Sequence, residues 1–290
     1  MPASRQSSDH RTYRNRSASM FRYCLNASTI RPTPLLDKIR IAGETGYTAI
    51  ELWHDDLDSH VEQGHALSDV RRALADQGLE LATTIYLRNW FDSRGEAFEL
   101  AWGECGRRME AAAELGARYV IASPPSGPAD YERGAERYAR LLAMGGALGV
   151  WPIMEFLGFV EDLNSIEKAL RVIEACGHPR ATTVLDPFHI ARGGGSVESI
   201  ALLRRDQIAI SHFNDVPADP PARSQHDSDR VYPGDGVFDL GRYLTLLRAT
   251  GYDGWLSLEL FREDLWNQDP REVARVGLDK MRCVVESTFG

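Results

Sequence analysis

At 290 residues, 43% hydrophobic and 26% charged, the chain can bury a sizeable core, and barrels of alternating strands and helices run to about 250 residues as one domain. No apolar run approaches the roughly 20 residues that a membrane span requires. The net charge of -9 argues against the basic face that broad nucleic-acid binding needs.

Residues 1–19, MPASRQSSDHRTYRNRSAS, are rich in Ser and Arg and hold one acid, Asp9. Arg-rich, acid-poor leaders can be transit peptides, but no amphipathic apolar face is visible here. The stretch is expected to be a disordered tail, or to precede the true start at Met20. From residue 20 to 290 a single domain is expected, with no linker.

Beyond Met20 the pattern alternates. Short apolar or β-branched runs at 23–25, 49–52, 81–85, 119–121, 150–156, 182–185, 208–212 and 255–258 predict strands. Between them, apolar residues at three- and four-residue spacing predict helices over 35–44, 69–75, 99–115, 132–147, 165–175, 198–203, 240–249 and 270–286. Gly46, Gly78, Gly116, Gly149, Gly177 and Gly251 each follow a helical stretch, where a left-handed cap belongs. Eight strand–helix units in strict alternation give an α/β class, and closure at eight points to a (β/α)8 TIM barrel. Cys24, Cys105, Cys176 and Cys283 are scattered, with no C-x-x-C pair, as expected of reduced thiols in a cytoplasmic protein.

In such barrels function gathers at the carboxyl ends of the strands. The predicted fifth strand ends at Glu155, and the sixth at Asp186 with His189 three residues on. The seventh ends at His212 with Asp215 just beyond, and the eighth at Glu259. Neighbouring strands lie about 4.8 Å apart, so these four rim side chains can converge. Converging carboxylates repel and raise one another's pKa values unless a cation sits among them. Glu155, Asp186, His212 and Glu259 are therefore the expected ligands of one divalent ion. Mn²⁺ is the first expectation, and Co²⁺, Mg²⁺ or Zn²⁺ suit the same oxygen-and-imidazole set. Any one of the four, taken alone, reads as a helix cap, a turn or a core residue.

Other residues are expected around that centre. His189 would hydrogen-bond a substrate oxygen or orient Asp186, and Glu161 would steer a hydroxyl or cap the helix that follows. Trp53 and Trp90, with His54 and Phe91, follow strands two and three and would wall a pocket. A polar, Pro-rich segment from Val216 ends in DRVYPGDG, carries Arg230, and stands where a lid belongs.

The phrases CLNASTI with GYTAIEL, EFLG, VLDPFHI, HFND, DRVYPGDGVFDL and LELFRE resemble the xylose isomerase-like barrel superfamily of sugar isomerases, epimerases and dehydratases. The resemblance covers nearly everything after Met20 and is closest to the inosose (2-keto-myo-inositol) isomerases of inositol catabolism. It implies Glu155, Asp186, His212 and Glu259 as metal ligands. It further implies that His189, Arg230 and, more loosely, Glu161 touch substrate, and that the chain forms a homodimer or tetramer. The strand-three exit YLRNWFDSRG matches no particular sugar.

The chemistry follows from the residues. A metal on a substrate ketone and its neighbouring hydroxyl acidifies the carbon-bound proton. Glu155 and Glu259, on different strands, can then remove one proton and return another. The expected protein is a metal-dependent isomerase or epimerase of a keto-inositol or related ketose, working through an enediolate. Its partner is a small polyol, not nucleic acid or membrane. A dehydratase of a keto-inositol or keto-acid would begin with the same abstraction. An apurinic endonuclease would need further His ligands, and LATTIYLRNW and YVIASPPSG contain none. A non-catalytic sugar binder would have no use for both glutamates.

Overall fold

Helix Ile166–Cys176 shows how each unit is built. Ile166, Ala169, Val172 and Ile173 are its buried positions, the spacing of one helical face. Gly177 ends it at φ 64°, and the chain passes into the next apolar strand. The structure, a computed structural model, describes residues 21–290. The tail expected over 1–19 and its boundary at Met20 lie outside the described residues.

Eight strands follow one another: β1 (Arg22–Asn26), β2 (Ala49–Trp53), β3 (Glu80–Leu87), β4 (Tyr119–Ala122), β5 (Trp151–Met154), β6 (Thr183–Leu185), β7 (Ile208–His212) and β8 (Trp255–Leu258). Each pairs in parallel with the next, and β1 pairs with β8, so the sheet closes into a (β/α)8 barrel. The helices are α1 (Leu35–Thr45), α2 (His54–Glu62), α3 (Leu67–Gln77), α4 (Gly95–Glu114), α5 (Tyr131–Leu148), α6 (Ile166–Cys176), α7 (Pro187–Arg192), α8 (Leu240–Ala249), α9 (Glu263–Trp266) and α10 (Pro270–Phe289). The six cap glycines all take positive φ. Gly277 serves a different purpose. A Cβ there would come within 2.1 Å of Leu258 Cδ2, so its absence lets α10 lie close against β8.

Two expectations need correcting. The helix expected over 198–203 is a 3-10 stretch, Val197–Leu202, capped by Ser196. Three short helices, α2, α7 and α9, were not expected. Each sits on the rim after a strand; α7 and α9 are too short to display a repeating apolar face, and α2 (HDDLDSHVE) buries only one apolar residue, Leu57, between His54 and His60. The expected strands and remaining helices agree with the structure to within a few residues at their ends.

Side-chain alternation along the strands sets the barrel interior. Cys24, Ala49, Ile153, Val184, Ile210 and Trp255 form part of an inner apolar layer. Two residues further on, facing the same way, come Asn26, Glu51, Glu155, Asp186, His212 and Ser257, and Glu259 stands one step above Ser257. All seven are buried. The interior thus passes from apolar to polar, and it is lined with carboxylates at the C-terminal rim. The outward-facing strand residues, among them Leu25, Ile50, Val120, Leu185 and Leu256, join the helices in the main core.

Candidate active site

Asp186 is placed by its own turn. Pro187 stands at the first turn of α7, and the Asp186 side chain caps that helix, an arrangement both residue types favour. Its Oδ1 accepts from Phe188 N (2.8 Å) and Asn214 Nδ2 (3.0 Å). Its Oδ2 is left facing the barrel axis, 3.1 Å from Arg230 Nη2 and 3.6 Å from His212 Nδ1. Burial disfavours the charge, yet Arg230, His189 and His212 outweigh it and hold the carboxyl well below its usual range.

His212 ends β7. Its Nδ1 lies 3.1 Å from Glu259 Oε2, and its Nε2 lies 3.5 Å from Glu51 Oε1. Neither ring nitrogen has an aligned hydrogen-bond partner among the described residues. Burial disfavours the imidazolium, but Glu259 and Glu51 more than compensate and push this histidine well above its ordinary range. Glu259 follows β8. Its Oε1 accepts from Asn26 Nδ2 at 2.9 Å, its Oε2 is 3.5 Å from Arg230 Nη2, and burial raises its pKa.

Ligand atoms of Asp186, His212 and Glu259 all lie within 4.8 Å of one another, and all three residues are buried. Glu155 is not in that cluster, although it lines the same cavity. Its backbone N–H continues the ladder to Ala122 O at 3.0 Å. Its carboxylate makes no hydrogen bond or ion pair with any other described residue. Burial, with like charge from Glu259 and Asp186, pushes its pKa up to about 8 against the pull of His212.

The centre fits a divalent cation. Four buried carboxylates, Glu51, Glu155, Asp186 and Glu259, face two imidazoles, His212 and His189, and one guanidinium, a balance that burial makes costly without further positive charge. The orphaned Nδ1 of His212 and the adjacent carboxylate oxygens are a donor set suited to Mn²⁺, Co²⁺, Mg²⁺ or Zn²⁺.

Above the centre opens a cavity of about 810 Å³. Trp53 walls it, edge-on to Tyr86 and Phe261 with centroids at 6.2 and 5.8 Å. His189 lines it too. Gly158 N–H donates to its Nδ1 (3.2 Å), and its Nε2 lies 3.0 Å from Arg230 Nη2. Burial and Arg230, against the pull of Asp186, bring its pKa down to about 4. Arg230 is buried, ion-paired to Asp227, and stacked over Phe188 at 4.3 Å. The segment from Val216 that carries it is well tied down. Gln225 Nε2 donates to Pro217 O and Pro220 O, and Asp215 accepts four backbone N–H groups, from Val216, Gly234, Gly236 and Phe238. The expected lid is thus a packed cover, which brings His226, Asp227, Ser228 and Arg230 to the cavity.

Two expected substrate contacts stand elsewhere. Trp90 is fully buried, edge-on to Phe91 and against Tyr138. The chain turns at Asn89 (φ 61°) and carries Trp90 into the core, so Tyr86 takes the wall position. Phe91 and His54, also buried, do not line the cavity. Glu161 is exposed and away from it. Its N–H donates to Ser126 O, and Leu157 and Phe159 of the same loop face the cavity instead. Glu51 and Asn26 were missed. The signal for Glu51 was legible as a lone carboxylate in the apolar run AIELW.

A profile of the xylose isomerase-like TIM barrel family matches residues 39–283. Inosose isomerase of Bacillus velezensis is 27% identical, over 92% of this chain and 98% of its own. The 3-dehydroshikimate dehydratase of Pseudomonas aeruginosa is 28% identical, over 88% of this chain and 40% of its own. Among solved structures, an IolI protein with a zinc atom superposes with a TM-score of 0.86 at 24% identity, over 93% of this chain and all of that one.

Proposed function

The chain belongs to the xylose isomerase-like TIM barrel family, and on that premise we propose that it is a divalent-metal-dependent isomerase or epimerase of a keto-inositol or related ketose. The observation that carries the reading is the buried Asp186–His212–Glu259 cluster beside the unpartnered carboxylate of Glu155, both open to one cavity. Similarity to inosose isomerase over nearly its whole length supports the substrate class.

Asp186, His212 and Glu259 would hold the ion, with Glu155 able to join them. When bound, it supplies Lewis acidity at the substrate's ketone and adjacent hydroxyl, with Mn²⁺ our first choice. Glu155, free of other partners, takes the proton from the carbon beside the ketone onto a carboxylate oxygen. The Glu259 carboxyl returns a proton, so the pair divides the acid and base roles. For a moved ketone, the proton returns to the former carbonyl carbon and the hydroxyl proton crosses between the two oxygens. For epimerisation it returns to the same carbon from the other face. His189 and Arg230 stand where they can hold the substrate oxygens, and Trp53 covers one side of the ring. The segment from Val216 to Arg230 walls the cavity on the side of His189. We place the enzyme in the cytoplasm, consistent with four free cysteines and with no helix among the described residues long and apolar enough to cross a membrane.

The test is turnover of keto-inositols and ketoses in D₂O with Mn²⁺-loaded protein. Deuterium should enter the product carbon, and Glu155→Gln should lose about 10²–10⁴-fold in rate. Hydride transfer without exchange would sink the reading. The second reading, a dehydratase, rests on the match to 3-dehydroshikimate dehydratase and would be recognised by a product lighter by one water.

A further inference from the structure

Glu51 does not line the cavity, yet it is an acid at 0% exposure in the centre of the barrel. Its Oε2 accepts from Thr83 Oγ1 at 2.5 Å. Its Oε1 accepts from Ser257 Oγ and from Asn26 Nδ2 at 3.3 Å, and faces His212 Nε2 at 3.5 Å. No arginine or lysine among the described residues pairs with it. Three neutral donors would be satisfied equally by a neutral acceptor, so packing does not account for a carboxylate at this depth. The imidazole edge does, because a carboxylate behind a metal-bound histidine orients the ring and makes it a better donor. The opposite edge of that ring, Nδ1, faces Glu259 Oε2 and Asp186 Oδ2.

Asn26 extends the same support. Its Nδ2 bridges Glu51 Oε1 and Glu259 Oε1, at 3.3 and 2.9 Å. Its Oδ1 accepts from Ser28 N and from Trp53 Nε1, each at 3.0 Å. The amide is therefore held from the backbone and from the cavity wall, and it ties Glu259 to the same buried acid.

We infer that Glu51 is a positioning residue for the cation centre. It keeps the proton of His212 on Nε2 so that Nδ1 is free to ligate, and through Asn26 it sets the orientation of Glu259. This rests on the metal-dependent reading proposed above. The side chain never meets substrate, so its effect belongs to metal affinity and histidine tautomer, not to the chemical step.

The experiment titrates Mn²⁺ and Zn²⁺ calorimetrically into the wild type and Glu51→Gln. It is paired with NMR of ¹⁵N-histidine-labelled, Zn²⁺-loaded protein. Glu51→Gln should bind both ions about 10–100-fold more weakly, and His212 should lose the downfield Nε2–H resonance of a ring bonded to a carboxylate. Should Glu51→Gln fail to fold, as judged by circular dichroism, Glu51→Asp keeps the charge but draws it back from the ring. The same two readouts should then move in the same direction, by less. Affinity within twofold of wild type together with an unchanged His212 spectrum would overturn the inference. A wild type that binds neither ion overturns both this and the proposed function. Metal binding weakened by Glu51→Gln, in a protein that exchanges no substrate proton, supports this inference while the isomerase reading falls.

Discussion

His54 follows β2 and begins α2, fully buried, with both ring nitrogens lacking a hydrogen-bond partner among the described residues. Burial, helped by the nearby Arg108 guanidinium, pushes its pKa down to about 3. The folded protein therefore keeps this ring neutral, while the unfolded chain takes up a proton below about pH 6.5. The stabilising contribution is complete above that pH. It is lost as pH falls, at about 1.4 kcal/mol per unit, until the folded form titrates near pH 3. Between pH 6.5 and 5 this one residue should account for about 2 kcal/mol. Urea midpoints at pH 7 and 5, compared between wild type and His54→Leu, measure it. The acid-side loss should be smaller by that amount in the variant, and an unchanged slope would refute the assignment. The choice of residue that walls the cavity is equally local: Tyr86 and Trp90 are four positions apart, and a turn at Asn89 decides which one faces the cavity.

At the scale of elements, the segment after β7 matters most. Asp215 pairs with Val231 as an antiparallel bridge, and its carboxylate gathers four backbone N–H groups, three of them from the turn that follows the bridge, at Gly234, Gly236 and Phe238. Arg230 directly precedes that bridge, so its reach to Asp186 is set by a residue that touches neither. Replacing Asp215 by Ala leaves buried donors unsatisfied, at about 1–3 kcal/mol each where water cannot reach them. Amide exchange at Gly234, Gly236 and Phe238 should quicken by at least tenfold in Asp215→Ala, ahead of any change in β7 itself. Equal protection in the two proteins would show that the cover is held by its other contacts, such as Gln225. Hydropathy places this segment as a polar loop, because its order comes from hydrogen bonds and not from an apolar face.

At the scale of the whole molecule, the candidate ligands come from the ends of β6, β7 and β8, and Glu155 from β5, so a bound cation links half the barrel. An ion at 100 times its Kd should add about 2.7 kcal/mol to stability, or about 5–10 °C in Tm for a domain of this size. Thermal unfolding with chelator and then with Mn²⁺ checks this. A Tm indifferent to the ion would count against a shared centre.

Alternating apolar runs, helical spacing and capping glycines state the eightfold repeat from within each short stretch, so the barrel was legible residue by residue. The rim residues Asp186, His212 and Glu259 were legible for the same reason, since the end of a strand is a local feature and closure of the barrel brings the ends together. The fate of Glu161 and Trp90 was not, because loop direction depends on what packs beneath it. Glu51 was hidden for a further reason. Its partners Asn26, Thr83, His212 and Ser257 come from four other strands, and only the register of the closed sheet puts them around one carboxylate. Local pattern determined the fold and the rim of this protein. Long-range register decided which buried charges meet there, because a charge in the interior is defined by its neighbours in space and not in sequence.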